Sequence, residues 1–113
     1  MRAFSVLTLL LPFVAAKGHT QCDCMSWNSG ESWIHNAELT QYVCFEYYPG
    51  EAQYDDQSKV CKTTDGSKSI DGQGWEDSCK DAGIEKGYYP FGTDGKPDFS
   101  KKIMYIGAAS GAC

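Results

Sequence analysis

Along this chain the apolar positions fall into short groups with different spacings, and each spacing predicts a different element. Gln21 to Trp27 alternates, which predicts a strand with Cys22 and Cys24 on one face, because strand side chains repeat every two residues. Asn36 is a favoured helix N-cap. Leu39, Tyr42, Val43 and Tyr47 follow it at helical spacing, and Trp33 or Ile34 stands before the cap like a staple, so a helix is predicted over Ala37 to Glu46. Pro49-Gly50 ends it. Ala52 to Tyr54 and Lys59 to Thr63 flank the polar turn Asp55-Asp56-Gln57-Ser58 and read as a hairpin. Trp75, Ser78, Cys79 and Ala82 return to helical spacing with Gly83 just beyond, predicting a second helix over Gln73 to Ala82. Gly87 to Ser100 reads as an irregular loop, and Lys102 to Ile106 as the last strand.

The order strand, helix, strand, strand, helix, strand defines an α+β class. It predicts a split βαβ (βαββαβ) sandwich, a four-stranded antiparallel sheet with both helices on one face. In that layout the first strand is central and lies under both helices. Cys22 and Cys24 are then expected to bridge to Cys44 and Cys79, leaving Cys61 for Cys113.

One segment stands apart from this pattern. Met1-Arg2 precedes a predominantly apolar run, Ala3 to Val14, which is too short to span a bilayer and reads as a secretory signal with cleavage expected after Ala16, or alternatively after Gly18. The folded unit expected is a single domain, 17–113, that is extracellular and not inserted in a membrane once the signal is removed. Removing Arg2 with the leader takes the formal charge from −5 to −6. An acidic chain without clustered Lys and Arg argues against a nucleic-acid or anionic-membrane surface. A soluble monomer is expected.

Cysteine usage then decides how so small a domain is held. A chain of this length buries only about two-thirds of its unfolded surface, so covalent staples are expected. Cys22, Cys24, Cys44, Cys61, Cys79 and Cys113 all follow the leader, and in an oxidising compartment they read as disulfides. The rival reading, a metal site at Cys22-Asp23-Cys24 with His19, lacks a second paired cluster. No metal and no cofactor are expected.

Candidate chemistry is sparse. A fungal-type ribonuclease would use histidines, a glutamate and an arginine, and no arginine follows the leader. His35 stands alone before a helix, where a surface or capping role outweighs that of a general base. Among the many carboxylates, such as Glu46, Glu76 and Asp77, no pair stands out for glycoside hydrolysis. Asp65 to Glu76 has the length of a calcium loop but places Ile70 where the turn needs glycine. The reading is of a protein that is not an enzyme.

The aromatic residues remain. With few large aliphatic side chains to fill a core, Trp33, Tyr42, Phe45 and Trp75 are expected to pack inside. Tyr48, Tyr88, Tyr89 and Phe91 are the candidates for a binding surface, since tyrosine and phenylalanine can anchor a protein partner or stack on a sugar. The echo between Tyr47-Tyr48-Pro49 and Tyr88-Tyr89-Pro90 reads as two proline-terminated turns with similar needs.

The signal, the six cysteines with their Cys22-Asp23-Cys24 group, the Trp75-Glu76-Asp77-Ser78-Cys79 helix and the acidic, aromatic-rich body resemble the small secreted cysteine-rich proteins of filamentous fungi, many of them effectors. The order of elements resembles the disulfide-stapled α/β fold shared by some of these with fungal killer toxins. The resemblance implies binding to a host protein as a virulence function. A toxin acting on competing cells is the alternative, and a carbohydrate-binding module a further one. No site residue is carried across, because the group has no common catalytic set.

Overall fold

The computed structural model describes residues 18–113; the expected leader, 1–16, lies outside them. The elements are β1 (Gly18–His19), β2 (Gln21–Trp27), β3 (Ile34–His35), α1 (Ala37–Tyr47), β4 (Ala52–Asp55), β5 (Val60–Thr63), β6 (Ile70–Asp71), α2 (Gly72–Lys80) and β7 (Ala108–Ala112). α2 runs on into a π-helical turn, Asp81–Lys86. β2 is central and every pairing is antiparallel. One edge of β2 pairs with β7 from Asp23↔Ala112 to Trp27↔Ala108. The other edge is divided, with Cys22 opposite Cys61 of β5 and Ser26 opposite Ile34 of β3. β4 lies outside β5, which completes the order β4, β5, β2, β7 of a split βαβ sheet. β1 and β6 form a separate two-stranded ladder.

The divided edge leaves a gap at Cys24, and a helix side chain fills it. The Cys24 N–H donates to Thr40 Oγ1 at 2.9 Å, and the Thr40 hydroxyl donates to the Asn36 carbonyl at 2.7 Å. The Cys24 carbonyl in turn accepts from the Asn36 N–H at 2.9 Å. Thr40 is fully buried, yet its hydroxyl is satisfied on both sides, as a buried polar group must be.

Both helices take the places their sequences predict. Asn36 caps α1 by accepting from the Leu39 N–H at 2.9 Å, and Leu39, Thr40, Val43 and Cys44 face inward over β4 and β5. Asp71 caps α2 by accepting from the Gly74 N–H at 2.8 Å, so the segment with the length of a calcium loop is a strand and a helix start, with Ile70 in the core. Trp75 is fully buried, and its indole N–H donates to the Asp23 carbonyl at 2.8 Å. α2 can lie this close to β7 because position 111 is glycine: a Cβ there would stand 2.7 Å from Trp75 Cδ1 and from Glu76 Cα.

Three expectations are corrected. The last strand is Ala108–Ala112, not Lys102 to Ile106, where only a single bridge forms, between Tyr88 and Met104. Ile106 instead gives its N–H to the Gly83 carbonyl and its side chain to the core. The disulfides are Cys22–Cys113, Cys24–Cys79 and Cys44–Cys61. Cys24–Cys79 joins the central strand to α2 as expected. α1 crosses from β2 at its start, where Thr40 meets Cys24, to β5 and β4, which brings Cys44 to Cys61, and Cys113 continues the β7 ladder to stand opposite Cys22. Finally, Trp33 and Phe45 are not core residues; they are 48% and 43% exposed.

Candidate functional site: an aromatic groove beside β4

The inward stripe of α1 dictates what its other flank shows. With Leu39, Val43 and Cys44 buried, Tyr42 and Phe45 are turned toward the segment that follows the second helix. That segment, expected to be irregular, bonds to itself. Tyr88 and Met104 exchange both backbone hydrogen bonds, at 3.0 and 2.8 Å. The Gly92 N–H donates to the Lys96 carbonyl and the Asp98 N–H to the Pro90 carbonyl, both at 2.8 Å. Gly87 begins the segment at φ +85°, where a Cβ would also lie 2.6 Å from the Ile103 side chain, so only glycine fits.

These bonds hold a set of rings against α1. Phe91 meets Phe45 edge-on with centroids 5.6 Å apart, and Phe99 meets Tyr89 edge-on at 4.9 Å. Tyr42 lies 6.3 Å from both Tyr88 and Tyr89. Between the Phe45–Phe91 pair and β4 runs an open groove of about 620 Å³. Gln41 and Phe45 of α1 and Ala52, Gln53 and Tyr54 of β4 line it, together with Phe91, Gly95 and the exposed Asp56 at its rim. Asp56 is the charged side chain of this lining, and its carboxylate lies 3.4 Å from Lys59 Nζ. The Tyr54 phenol is pushed above its usual pKa by burial first and then by the charges of Asp56 and Asp55, so it remains a neutral hydrogen-bonding group. The Tyr42 phenol is raised by burial and by Glu46.

The candidate surface residues therefore separate. Phe91 lines the groove, and Tyr89 lies beside it on the ring ridge. Tyr88 is a correction: it is only 4% exposed, and its hydroxyl accepts from the side-chain amide of Asn36 at 3.2 Å, which locks it to the N-terminus of α1. Tyr48 is half-buried against Trp75 with centroids 5.5 Å apart and is not among the residues that line the groove. Phe45, expected in the core because large aliphatic residues are few, is the groove residue that was missed. The signal was in Cys44: a disulfide cysteine on a short amphipathic helix faces the core, which turns position 45 away from it.

On the outer face of the sheet, His35 Nδ1 and Asp23 Oδ2 are 2.6 Å apart. The register sets Met25 between His35 and Ser110. Among the described residues, no group of three His, Cys, Asp or Glu is placed to hold a metal ion, and no helix is long and apolar enough to cross a membrane. No family model, no curated protein and no solved structure matches this chain.

Proposed function

We propose that this chain is a secreted, cysteine-rich binding protein without catalytic activity, which engages a host protein in the manner of the fungal effectors it resembles. Three disulfides suit an oxidising, extracellular setting. The observation that carries the reading is the Phe45–Phe91 pair, fixed edge-on at the mouth of the groove. Aromatic anchors already held in place lose little side-chain freedom on binding, and such residues dominate protein–protein affinity.

The test is cross-linking of the disulfide-intact protein in host extracellular fluid, beside a Phe45→Ala/Phe91→Ala variant whose fold is checked by circular dichroism. Partner capture by the parent and its loss in the variant is the expected result. Equal capture by both would remove the groove from the proposal. A glycan-array signal lost in the variant would move the assignment to a carbohydrate-binding module, and a growth-inhibition halo on fungi or bacteria would move it to a toxin.

A further inference from the structure

The groove has a second property that its aromatic lining does not explain: one of its walls is the outer edge of a β-sheet. Hydrogen bonds fix which groups that edge presents. The Thr64 N–H donates to the Glu51 carbonyl at 3.1 Å, and the Thr63 N–H donates to the Thr20 carbonyl at 2.9 Å. Alternate residues of β5 thus bond to β4 and to β2, and in the register Gln53↔Lys62, Tyr54↔Cys61 it is Gln53 that bonds inward. Ala52 and Tyr54, which both line the groove, point their backbone groups outward, away from β5. The Ala52 N–H is taken by the Tyr48 carbonyl at 3.2 Å. This leaves the Ala52 carbonyl and the Tyr54 N–H and carbonyl, and among the described residues none bonds to them. Edge groups of this kind are a template for another strand; β4 offers a short edge, four residues ending in Asp55, and Ala52-Gln53-Tyr54-Asp55 contains no proline or lysine.

We infer that the groove takes an extended peptide segment of its partner, which adds to β4 as a further strand and sets an apolar side chain against the Phe45–Phe91 pair. This deepens the binding function proposed above and rests on it. Strand addition divides the work: backbone bonds to Tyr54 and Ala52 supply affinity, and the aromatic slot selects every second side chain. Charge selects the rest. Asp56 at the rim, Glu51 beside β4 and the acidic balance of the chain favour a segment with Lys or Arg flanking its apolar anchor. The same charge opposes the alternative occupant, a second copy of this chain paired edge to edge.

The probe is a random heptapeptide display library selected on the immobilised, disulfide-intact protein, with enriched peptides made synthetically and titrated against the ¹⁵N-labelled chain. Enriched peptides are expected to carry an aromatic or large aliphatic residue between Lys or Arg, to lack internal proline and to shift the Tyr54 amide. N-methylation of the peptide at the amides facing β4 is expected to weaken binding about tenfold. Tyr54→Pro, which removes only an outward N–H from the backbone, is expected to bind more weakly than Tyr54→Ala. Whether or not Tyr54→Pro folds, the N-methylated peptides on the unaltered protein carry the decision. If peptides bind in a Phe45- and Phe91-dependent way while N-methylation has no effect, strand addition is wrong and the groove function stands. If no peptide is enriched, strand addition is overturned, and the cross-linking result alone judges the groove. A concentration-dependent dimer that shifts Tyr54 would assign the edge to a second copy instead.

Discussion

The two helices sit on the same sheet, yet they treat their aromatic residues in opposite ways. α2 is closed: Trp75 is fully buried, its indole N–H is bonded to Asp23, Cys79 is joined to the central strand, and Gly111 lets the helix settle directly onto β7. α1 is open on one flank, where Phe45 meets Phe91 of a separate segment, while Tyr42 packs against the core beside Tyr88 and Tyr89. The closed half supplies rigidity and the open half supplies a surface. A domain this small cannot bury every aromatic it carries, and the disulfides allow some to remain outside.

The largest test of this contrast is removal of the staples. Replacing Cys24 and Cys79 by Ala opens a connection of 55 residues and is expected to cost about 4 kcal/mol, whereas Cys44 and Cys61, 17 residues apart, should cost about 3 kcal/mol. Urea unfolding of the two double variants gives the order, and a reversed order would mean that the second half is not the more constrained. Next, Gly111→Ala forces a methyl group against Trp75 and the backbone of Glu76 and is expected to cost about 1–3 kcal/mol, read as a lowered Tm. On the open half, Phe45→Ala with Phe91→Ala should cost about 1 kcal/mol or less in the same unfolding experiment while abolishing partner capture. A loss of several kcal/mol there would place these rings in the core and erase the contrast.

The smallest effect concerns the β4–β5 turn at the foot of the groove. The hydroxyl of Ser58 and then the Lys62 ammonium hold the Asp55 carboxyl down to about 2. A depressed folded pKa contributes stability above the unfolded carboxylate pKa, and that contribution fades as pH falls through the folded value. The gap in Tm between the parent and Asp55→Asn should therefore be present at neutral pH and close between about pH 4 and about pH 2. A gap independent of pH would show that the carboxylate charge is not what ties the turn.

Much of this arrangement was legible in the chain. The alternation around Cys22 and Cys24, the Asn36 cap and the Trp75-to-Ala82 spacing led to the split βαβ order with β2 at its centre. Three things were not. Ile103-Met104-Tyr105-Ile106 has the β-prone residues, but the last strand is Ala108–Ala112, whose small side chains fit beneath α2 and carry little β-preference of their own. The disulfide partners depended on how far α1 leans toward β5, a tertiary fact with no local signature. Tyr88 and Phe45 exchanged places because the shortage of large aliphatic side chains put Phe45 in the core without regard to the direction that Cys44 imposes, and because the hydroxyl of Tyr88 has its partner at Asn36, far away in sequence.

Thr40 has a consequence for the order of assembly. The central strand is finished on one edge by two short strands and, between them, by a hydroxyl from α1. The β4–β5 hairpin can form early from local contacts, but β2 cannot close that edge until the helix has docked. Helix docking and sheet completion are thereby one event, and folding should pass from hairpin to native domain in a single concerted step instead of building the sheet first and covering it afterwards.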